Sequence, residues 1–484
     1  MSTSIIECAE KLMPSGGALL IISDEENDVK VERWEGRYAL NWALMRLDSS
    51  REFSTSYPTP IKYLVSINSI IENGIDIVFL KRFPLESSQP LNILACIVKT
   101  LRPGGFFLCN YQSNHVESKI TQDENYTRNI IAIASRFGLV AMSGIELKFA
   151  KNDFMPLVFQ KKLVPPRWQL GHLADPGFAG FSKLFRDSFN LESNPPLWNW
   201  KYGEGRGRDV IATRDGRLIA HYGSTLRAVS IFGDVGTAIQ ICDVMVDPHE
   251  RGVMTRQGAM YITTTTFLEI YLGLLQYDIA YGFPNRRHMQ LGERLGLYAE
   301  VARMVEIRWR PRTSNPSPWT RLHALNADST NYQGMINKVW NRMAKDLAGN
   351  IVIIRDWEYI KYRYFRHPVN SYSVFGVISR WTGQIEGIIV VRQENQACEL
   401  VDMVAPLTKV PKMIDQACRV AKRWGCESLY CWTTDYHAPW LATQEEGVIS
   451  PLDISVPASL WPPGRETAHL KDKWWLMSGD TEFR

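Results

Sequence analysis

The stretch ICDVMVDPHERGVMTRQGAMYITTTTF, residues 241–267, decides how the chain is interpreted. An apolar run typical of a strand ends at Asp247-Pro248, a basic turn containing a glycine follows, and a helix-compatible segment comes next. The first turn of a helix has unpaired N–H groups and the positive end of the helix dipole, so this arrangement is suited to an anionic ligand. The alternative is an ordinary strand–loop–helix connection of a globular protein.

Length and charge limit the classes of protein that fit. A chain of 484 residues favours two to four domains, and 45% hydrophobic with 22% charged residues is typical of globular enzymes. A formal net charge of +4 provides no general field that would recruit nucleic acid. We therefore expect no nucleic-acid partner, and any recognition of anions must be local.

The cysteines and the apolar runs predict a reduced, cytoplasmic protein. The eight cysteines form no CxxC pair and no HExxH motif accompanies them, so we expect no metal site. The first 17 residues, MSTSIIECAEKLMPSGG, lack the basic start and apolar core of a signal peptide. The sequence contains no run of 18 apolar residues, so we expect no membrane span, and the oligomeric state stays open.

The first segment, residues 1–163, contains short apolar strands with helix-compatible stretches between several of them. The stretch LRPGGFFLC, residues 101–109, with the two strand-like runs that close the segment, resembles the second half of the class I SAM-dependent methyltransferase fold. That family binds SAM at a glycine-rich turn after its first strand. Here ALLIISDEENDVKVERW, residues 18–34, is acidic and bulky, and the next glycine is Gly36. The resemblance implies a methyltransferase-like shell that does not bind SAM; an active methyltransferase and an unrelated α/β domain are the alternatives.

The second segment follows a connector rich in proline and glycine. Residues 178–190, FAGFSKLFRDSFN, predict an amphipathic helix, and Asp215-Gly216 between two β-rich runs predicts a hairpin. The third segment repeats this order of elements over more than a hundred residues: RDWEYIKYRY echoes PLWNWKY, and CELVDMVAP echoes ICDVMVDP, so that Asp402 corresponds to Asp243. Since it lacks the glycine turn, we predict that this half does not bind the anionic ligand. It would instead shape the binding site of a second substrate, the acceptor.

A helix, a hairpin, a strand ending in Val-Asp-Pro, a basic glycine turn, a helix and a strand ending in GFPN together resemble the GNAT superfamily of acyl-CoA-dependent N-acyltransferases. The resemblance covers residues 177–310 well and residues 351–484 faintly. It implies an α/β and α+β fold: a Rossmann-like methyltransferase-type sheet in residues 1–163, a GNAT acyltransferase domain in residues 164–312 and a degenerate GNAT-like domain in residues 320–484. It also implies acetyl-CoA or another acyl-CoA as cofactor and an amine acceptor, either an amino sugar, another small molecule or a protein or peptide amine. A non-catalytic acyl-CoA-binding or scaffold protein is the alternative.

The family's diphosphate turn has Gln or Arg, two residues, Gly, one residue, then Gly or Ala. Counted from Arg251, Met254 and Arg256 occupy the small-residue places; counted from His249, Gly252 fits the first place. We prefer the second register, with a shortened loop, which puts Gly258 and Ala259 one turn into the helix. The cofactor-binding residues implied by the resemblance are Val244, Met245, Val246, His249, Arg251, Gly252, Val253, Met254, Thr255, Arg256, Gly258 and Asn285.

Acyl transfer to an amine needs a group that accepts the amine proton, and a carboxylate or a histidine can do so. Asp243 is the first candidate, with the capping of a neighbouring loop as its alternative role. His221 is the second candidate, and its alternative role is packing within a strand.

The family often has a tyrosine, seven residues after the Asn at the position of Asn285, that protonates the departing thiolate. Gly292 stands at that place in this chain, and Tyr298 and Tyr281 are the nearby candidates to substitute.

Two further features have open interpretations. The aromatic residues of PLWNWKY either wall an acceptor pocket or pack in the core, and the four threonines of residues 263–266 are either helical or a strand.

Overall fold

The computed structural model describes residues 12–13, 19–22, 74–80, 90–109, 120–143, 157–173, 177–251, 255–313, 315–443, 446–461 and 464–481. The chain divides into two compact units. Unit 1 comprises Met1–Ser188, Asp209–His221 and Met245–Leu275, and unit 2 comprises Phe189–Arg208, Tyr222–Val244 and Gln276–Arg484. Within the described ranges, no helix is long and apolar enough to cross a bilayer.

The first sheet lies in unit 1. Its strands are β1 (Leu19–Ile22), β2 (Ile75–Leu80), β3 (Leu101–Cys109), β4 (Leu139–Ala141) and β5 (Leu157–Lys161), in the order β1-β2-β3-β5-β4. β1, β2 and β3 are parallel, and β5 is antiparallel to both β3 and β4. Helix α1 (Pro90–Thr100) connects β2 to β3, as a parallel pair requires, and helix α2 (Ile120–Arg136) precedes β4. The expected antiparallel pairing of the two closing strands is confirmed, whereas the region expected to replace the SAM turn, residues 23–36, lies outside the described residues.

The second sheet contains the strand that begins the stretch of residues 241–267. Its strands are β6 (Gln169–Gly171), β7 (Gly207–Arg214), β8 (Arg217–Ile231), β9 (Asp234–Val246) and β10 (Ile279–Gly282), each paired with the next. Its helices are α3 (Phe178–Phe189), α4 (Pro195–Tyr202), α5 (Ala259–Leu268) and α6 (Arg286–Arg294). The hairpin between β7 and β8 is confirmed: Asp215 and Gly216 have φ of 51° and 74°, the left-handed pair of a type I′ turn.

The third sheet lies within unit 2, in the order β12-β14-β15-β16-β17-β11-β18. Its strands are β11 (Tyr298–Trp309), β12 (Thr320–Leu325), β14 (Ser373–Ser379), β15 (Ile385–Glu394), β16 (Ala397–Val404), β17 (Ser428–Thr434) and β18 (Val448–Ser459). Two shorter strands, β13 (Ile351–Ile353) and β19 (Trp474–Trp475), extend the second sheet instead, where β13 pairs with β8. The helices are α7 (Gln333–Asp346), α8 (Trp357–Ile360, continued by a π-helical turn over Lys361–Phe365), α9 (Val410–Arg423), α10 (Ala438–Ala442) and α11 (Thr467–Leu470).

The second and third sheets share one arrangement. The runs β6-β7-β8-β9-β10 and β12-β14-β15-β16-β17 both end in a parallel pair, β9 with β10 and β16 with β17. A helix connects the strands of each parallel pair: α5 connects β9 to β10, and α9 connects β16 to β17. A large apolar core in unit 2 includes buried residues of β14 to β17 together with residues of α7 and α9, such as Trp340, Ile389 and Met413.

The threonine run is helical and completely buried. Helix α5 and the π-helical turn Glu269–Leu274 that continues it pack against α2 within unit 1. The hydroxyls of Thr263 and Thr265 donate to the carbonyls of Ala259 and Tyr261, one turn back, at 2.9 and 2.8 Å. Packing on the neighbouring helix and these internal hydrogen bonds offset the low helix propensity of β-branched residues, so the strand alternative is wrong.

Candidate functional site

Helix α5 begins at Ala259, with Gly258 as its N-cap in an extended conformation. In the part of the chain that the structure describes, no side chain caps this end, so the first amides of the helix point into the loop before it. That loop begins with a short 3₁₀ turn, Pro248–Glu250, in which Asp247 accepts a hydrogen bond from the amide of His249 at 2.9 Å. Residues 252–254, and with them Gly252, Val253 and Met254, lie outside the described residues.

The helix start corrects one inference from the sequence. The preferred register put Gly258 and Ala259 one turn into the helix, whereas Gly258 precedes its first residue. The error arose because no residue between Arg251 and Gly258 is a strong N-cap of the helix that follows, so the sequence does not mark its start. The free amides therefore belong to the turn that begins at Gly258, several residues later along the chain than Gly252.

Side chains of unit 1 contact the residues before and after residues 252–254. Trp168 donates through its indole nitrogen to the carbonyl of Gln257 at 3.0 Å. Glu250 pairs with Arg214 and, at 3.1 Å, with Arg167. Of the residues expected to bind the cofactor, Arg251 donates to the carbonyl of Val246 at 2.9 Å, and the side chains of His249, Thr255 and Arg256 are exposed.

Strand β9 pairs with β10 over only part of its own length. The parallel register joins residues 238–241 to residues 279–282, after which β10 ends and β9 continues. Asp243, two residues beyond the paired stretch, has a φ of 48°, an uncommon value for a residue other than glycine. The chain thus bends where β9 leaves β10, and Val244 to Val246 continue the strand on the far side of the bend.

Asp243 does not stand alone at this bend. Its carboxylate accepts a hydrogen bond from the hydroxyl of Tyr202 at 2.7 Å and lies 3.1 Å from the Lys201 ammonium. All three side chains are mostly buried, and Tyr202 also lies 3.3 Å from the sulfur of Cys242. Lys201 and Tyr202 form part of PLWNWKY, for which the sequence left open a pocket wall or core packing but did not indicate a contact with Asp243. Both contacts stabilise the anionic form of the carboxylate and fix its orientation.

The two other aromatic residues of PLWNWKY are accounted for by packing. Trp200 stacks on Tyr362 with ring centroids 4.7 Å apart, and each residue donates from its side chain to the main-chain carbonyl of the other, at 3.2 and 3.0 Å. Trp198 lies 5.7 Å from the ring of Tyr202. These contacts favour the core interpretation of the aromatic cluster.

Tyr298 occupies the space that Gly292 leaves open. A Cβ atom at Gly292 would lie 1.8 Å from one ring carbon of Tyr298 and 2.2 Å from the carbon that carries its hydroxyl. The phenol therefore sits directly over the backbone at residue 292 and depends on the glycine there. Burial raises the pKa of Tyr298 to about 12, so the hydroxyl keeps its proton at neutral pH.

The other candidate residues make packing or helix-capping contacts. Tyr281 is buried in an apolar cluster of unit 2, with its ring 5.0 Å from that of Trp474. Asn285 is the N-cap of α6, where its side-chain oxygen accepts a hydrogen bond from the amide of His288 at 3.0 Å. The side chain of His221, in unit 1, is 1% exposed and packs edge-on against the Phe181 ring. Each of these residues already has a packing or capping role.

His221 belongs to a cluster that sequence reasoning missed. Asp209 lies 3.9 Å from its imidazole and 3.2 Å from that of His172, whose other nitrogen accepts from the amide of Leu91. Burial tends to raise the pKa of Asp209, but the hydrogen bond from His172 and the nearby imidazoles hold it below its usual value. The three polar residues are 37 and 12 positions apart, and no local spacing links them. Among the described residues, no group of three or more potential ligands could hold a metal ion.

A comparison with protein families finds a match to the range that contains β9 and α5. Residues 172–296 match the family model described as an acetyltransferase (GNAT) domain, so the chain contains a GNAT domain over this range. No match was found among curated proteins.

Similar solved structures share only low sequence identity with the chain. One, from Enterococcus faecalis V583, is described as a probable N-acyltransferase; it has 14% identity and a TM-score of 0.49, over 60% of this chain and 71% of that one. A GCN5-related N-acetyltransferase from Anabaena variabilis has 10% identity and a TM-score of 0.48, over 60% and 72%. An N-myristoyltransferase from Saccharomyces cerevisiae, with bound myristoyl-CoA, has 10% identity and a TM-score of 0.41, over 61% and 78%.

Proposed function

We propose that the protein is an acyl-CoA-dependent N-acyltransferase that transfers an acetyl group from acetyl-CoA to an amine. The observation that carries the proposal is the course of β9: it leaves β10 after Ile241, bends at Asp243 and leads along the chain to the uncapped start of α5 at Gly258. In this proposal the main chain of residues 243–246 pairs with the pantetheine arm, as an added strand would. The free amides at the start of α5 bind the diphosphate.

The reaction joins the amine nitrogen to the thioester carbonyl carbon and breaks the carbon–sulfur bond. The nitrogen loses a proton to solvent water, and the departing thiolate gains one from an acid of the protein. We assign the donation to Tyr298, because its phenol fills the place over Gly292 where the family's tyrosine is missing, and because burial keeps it protonated. Tyr281 is the weaker candidate, since its ring packs in the apolar cluster.

Asp243 is better suited to positioning than to proton transfer. Its carboxylate is held by Lys201 and Tyr202, and the same pairing recurs in the third sheet, where the hydroxyl of Tyr364 donates to Asp402 at 2.6 Å. There the pair is completely buried, so it serves the fold. By analogy, the Tyr202–Asp243 pair would fix the bend of β9 beside the thioester.

The repeated arrangement also supports a tandem organisation, with the GNAT domain followed by a degenerate copy in residues 320–484. Strand order, the terminal parallel pair and the Tyr–Asp hydrogen bond all recur. The stacked pair Trp200–Tyr362 joins equivalent positions, two residues before Tyr202 and Tyr364.

In unit 1, parallel strands β1 to β3 followed by antiparallel β5 and β4 are consistent with a methyltransferase-like shell in residues 1–163. The seven described cysteines are free thiols, which is consistent with a cytoplasmic protein.

Titration calorimetry with acetyl-CoA tests the donor site through three substitutions of Gly258. Gly258→Asp supplies both a helix cap and a negative charge, Gly258→Asn supplies the cap alone, and Gly258→Ala supplies neither. Since a carboxylate about 4 Å from a phosphate charge is repelled by up to ~4 kcal/mol near a protein surface, an upper limit of about a thousandfold, we expect the aspartate variant to bind on the order of a hundredfold more weakly. Its thermal stability should not fall, because Asp is at least as good an N-cap as Gly.

The matched control is Gly334→Asp, which adds the same charge at the first turn of α7, where a new side chain meets open space. It should bind acetyl-CoA as the wild type does. Equal affinities for the three Gly258 variants and the wild type would exclude the diphosphate assignment.

Binding of acyl-CoA without turnover is the second candidate, and Gly292 at the place of the usual acid favours it. Thiol release from acetyl-CoA over a panel of amino sugars, polyamines and peptide amines separates the two. Binding with no release above the rate of spontaneous hydrolysis for any amine would favour the sensor or scaffold.

A further inference from the structure

In the third sheet, as in the second, the parallel pairing stops before the longer strand ends. β16 and β17 pair over three positions only, residues 397–399 with residues 428–430, and both strands then continue for several residues. In the proposed function, the corresponding opening between β9 and β10 receives the acyl-CoA arm. The second opening is therefore built like a donor slot.

A segment of the chain itself, residues 474–481, lies in this second opening. Met477 forms an antiparallel bridge with Thr433 of β17, and the Ser478 hydroxyl donates to the carbonyl of Val401 in β16 at 3.3 Å. The Thr434 hydroxyl donates to the carbonyl of Trp474 at 2.6 Å. The segment thus bonds to both strands just beyond the point where they stop bonding to each other.

The fit of the segment is close at its centre. A Cβ atom at Gly479 would lie 2.2 Å from the Tyr364 hydroxyl and 3.1 Å from the Cβ of Asp402. The neighbouring Asp480 forms an ion pair with Arg355 at 2.5 Å, and Arg355 also pairs with Asp402 at 2.9 Å. Every residue from 474 to 481 is buried. An exogenous ligand could enter only after this whole network had come apart.

We propose that residues 474–481 are a built-in occupant of a second, vestigial acyl-donor slot, so that the chain binds one acyl-CoA and not two. The inference rests on the proposed function for its account of the first slot. It gives a physical reason why the second half should not bind the cofactor: the space between its strands is already filled by residues 474–481, which bond to both of them.

The segment also bonds to the strand that carries the first slot. The side-chain amide of Gln240, in β9, donates to the main-chain carbonyl of Asp480 at 2.6 Å, and Gln240 accepts from Arg227 at 2.9 Å. Gln240 lies three residues before the bend at Asp243. The occupant of the second slot therefore helps to position β9, which gives the segment a use beyond filling space.

Two measurements on the full chain test the proposal. Native mass spectrometry with saturating acetyl-CoA should detect one equivalent per chain, and two equivalents would overturn the proposal. Hydrogen exchange should find the amides of residues 477, 480 and 481 as slow as those of β16. Exchange of these amides at the rate of an exposed loop would also overturn it.

A glycine pair supplies the matched variants. Gly479→Ala forces a clash at the centre of the slot and should speed exchange in residues 474–481 by about five- to hundredfold, the range expected for overpacking a core. Gly334→Ala, which meets open space in α7, should leave exchange there unchanged. If no acetyl-CoA binds while residues 477–481 exchange slowly and Gly479→Ala releases them, the proposed function fails and the filled slot stands. If Gly479→Ala changes nothing, the filled slot fails.

Discussion

The assignment of Tyr298 gives the sharpest prediction for activity. Tyr298→Phe keeps the ring over Gly292 and removes only the proton that the departing thiolate would take. General acids contribute about 10²- to 10⁴-fold to rate, and a thiol with a pKa near 8.5 is a good leaving group. We therefore expect kcat to fall by about 10²-fold, at the low end of this range, with KM nearly unchanged.

Gly292→Ala tests the same assignment by geometry. The new Cβ would lie 1.8 Å from the Tyr298 ring. Since carbon atoms in contact need about 3.5 Å, the ring would have to move by roughly 1.5–2 Å. A displacement of about 1 Å at a reacting group costs on the order of 10²-fold, so this variant should be as impaired as Tyr298→Phe although it retains the hydroxyl.

Both variants are measured by thiol release from acetyl-CoA with the best amine of the acceptor panel. Burial raises the pKa of Tyr298 to about 12, so the wild-type kcat should show no decline due to this residue below about pH 11. Tyr281→Phe is the control and should retain full kcat. If Tyr298→Phe stays within about threefold of the wild type, Tyr298 is not the acid; a loss confined to Tyr281→Phe would transfer the role to that residue.

Three further predictions concern stability. Arg136→Met leaves Glu269 buried without its partner and should lower the free energy of unfolding by about 3–5 kcal/mol. Combining it with Glu269→Met should recover most of that loss, and equal losses for the single and double variants would refute the pairing argument. Tyr202→Phe removes the hydrogen bond to Asp243 and should cost about 1.5–3 kcal/mol, and a cost near zero would remove the positioning role. Burial lowers the pKa of His437 to about 4, so between about pH 6.5 and 4 the unfolded chain binds a proton that the folded chain does not. The free energy of unfolding should therefore fall as the pH drops through this range. His437→Gln should flatten this dependence, and an unchanged slope would assign it to other groups.

The sequence predicted most of the elements that carry local signals. Asp215-Gly216 marked its hairpin because Asp-Gly favours the type I′ turn, in which both central residues are left-handed, and the amphipathic pattern after Gly177 marked α3. The echo of Asp243 by Asp402 pointed to equivalent positions, and both residues have a tyrosine partner about 40 positions earlier in the chain.

Sequence signals are weaker where the structure depends on contacts between residues that are distant along the chain. The start of α5 was placed too early because Gly258 has no side chain that would mark a cap. The contact of Lys201 with Asp243 and that of His172 with Asp209 each join residues more than 35 positions apart, so no window of sequence contains both partners. Tyr298 was one of two candidates for the acid, and only its position over Gly292 distinguishes it from Tyr281.

Strand β11 has a consequence for any attempt to divide the chain. It follows α6 directly, yet it hydrogen-bonds to β17 on one side and β18 on the other, both more than 110 residues later in the sequence. A fragment ending near residue 312 would expose both edges of this twelve-residue strand, and one starting near residue 320 would lack the strand that joins β17 to β18. Unpaired edges of this kind invite aggregation. Expression of either piece alone should therefore yield insoluble protein, whereas co-expression of the two pieces could restore a soluble complex.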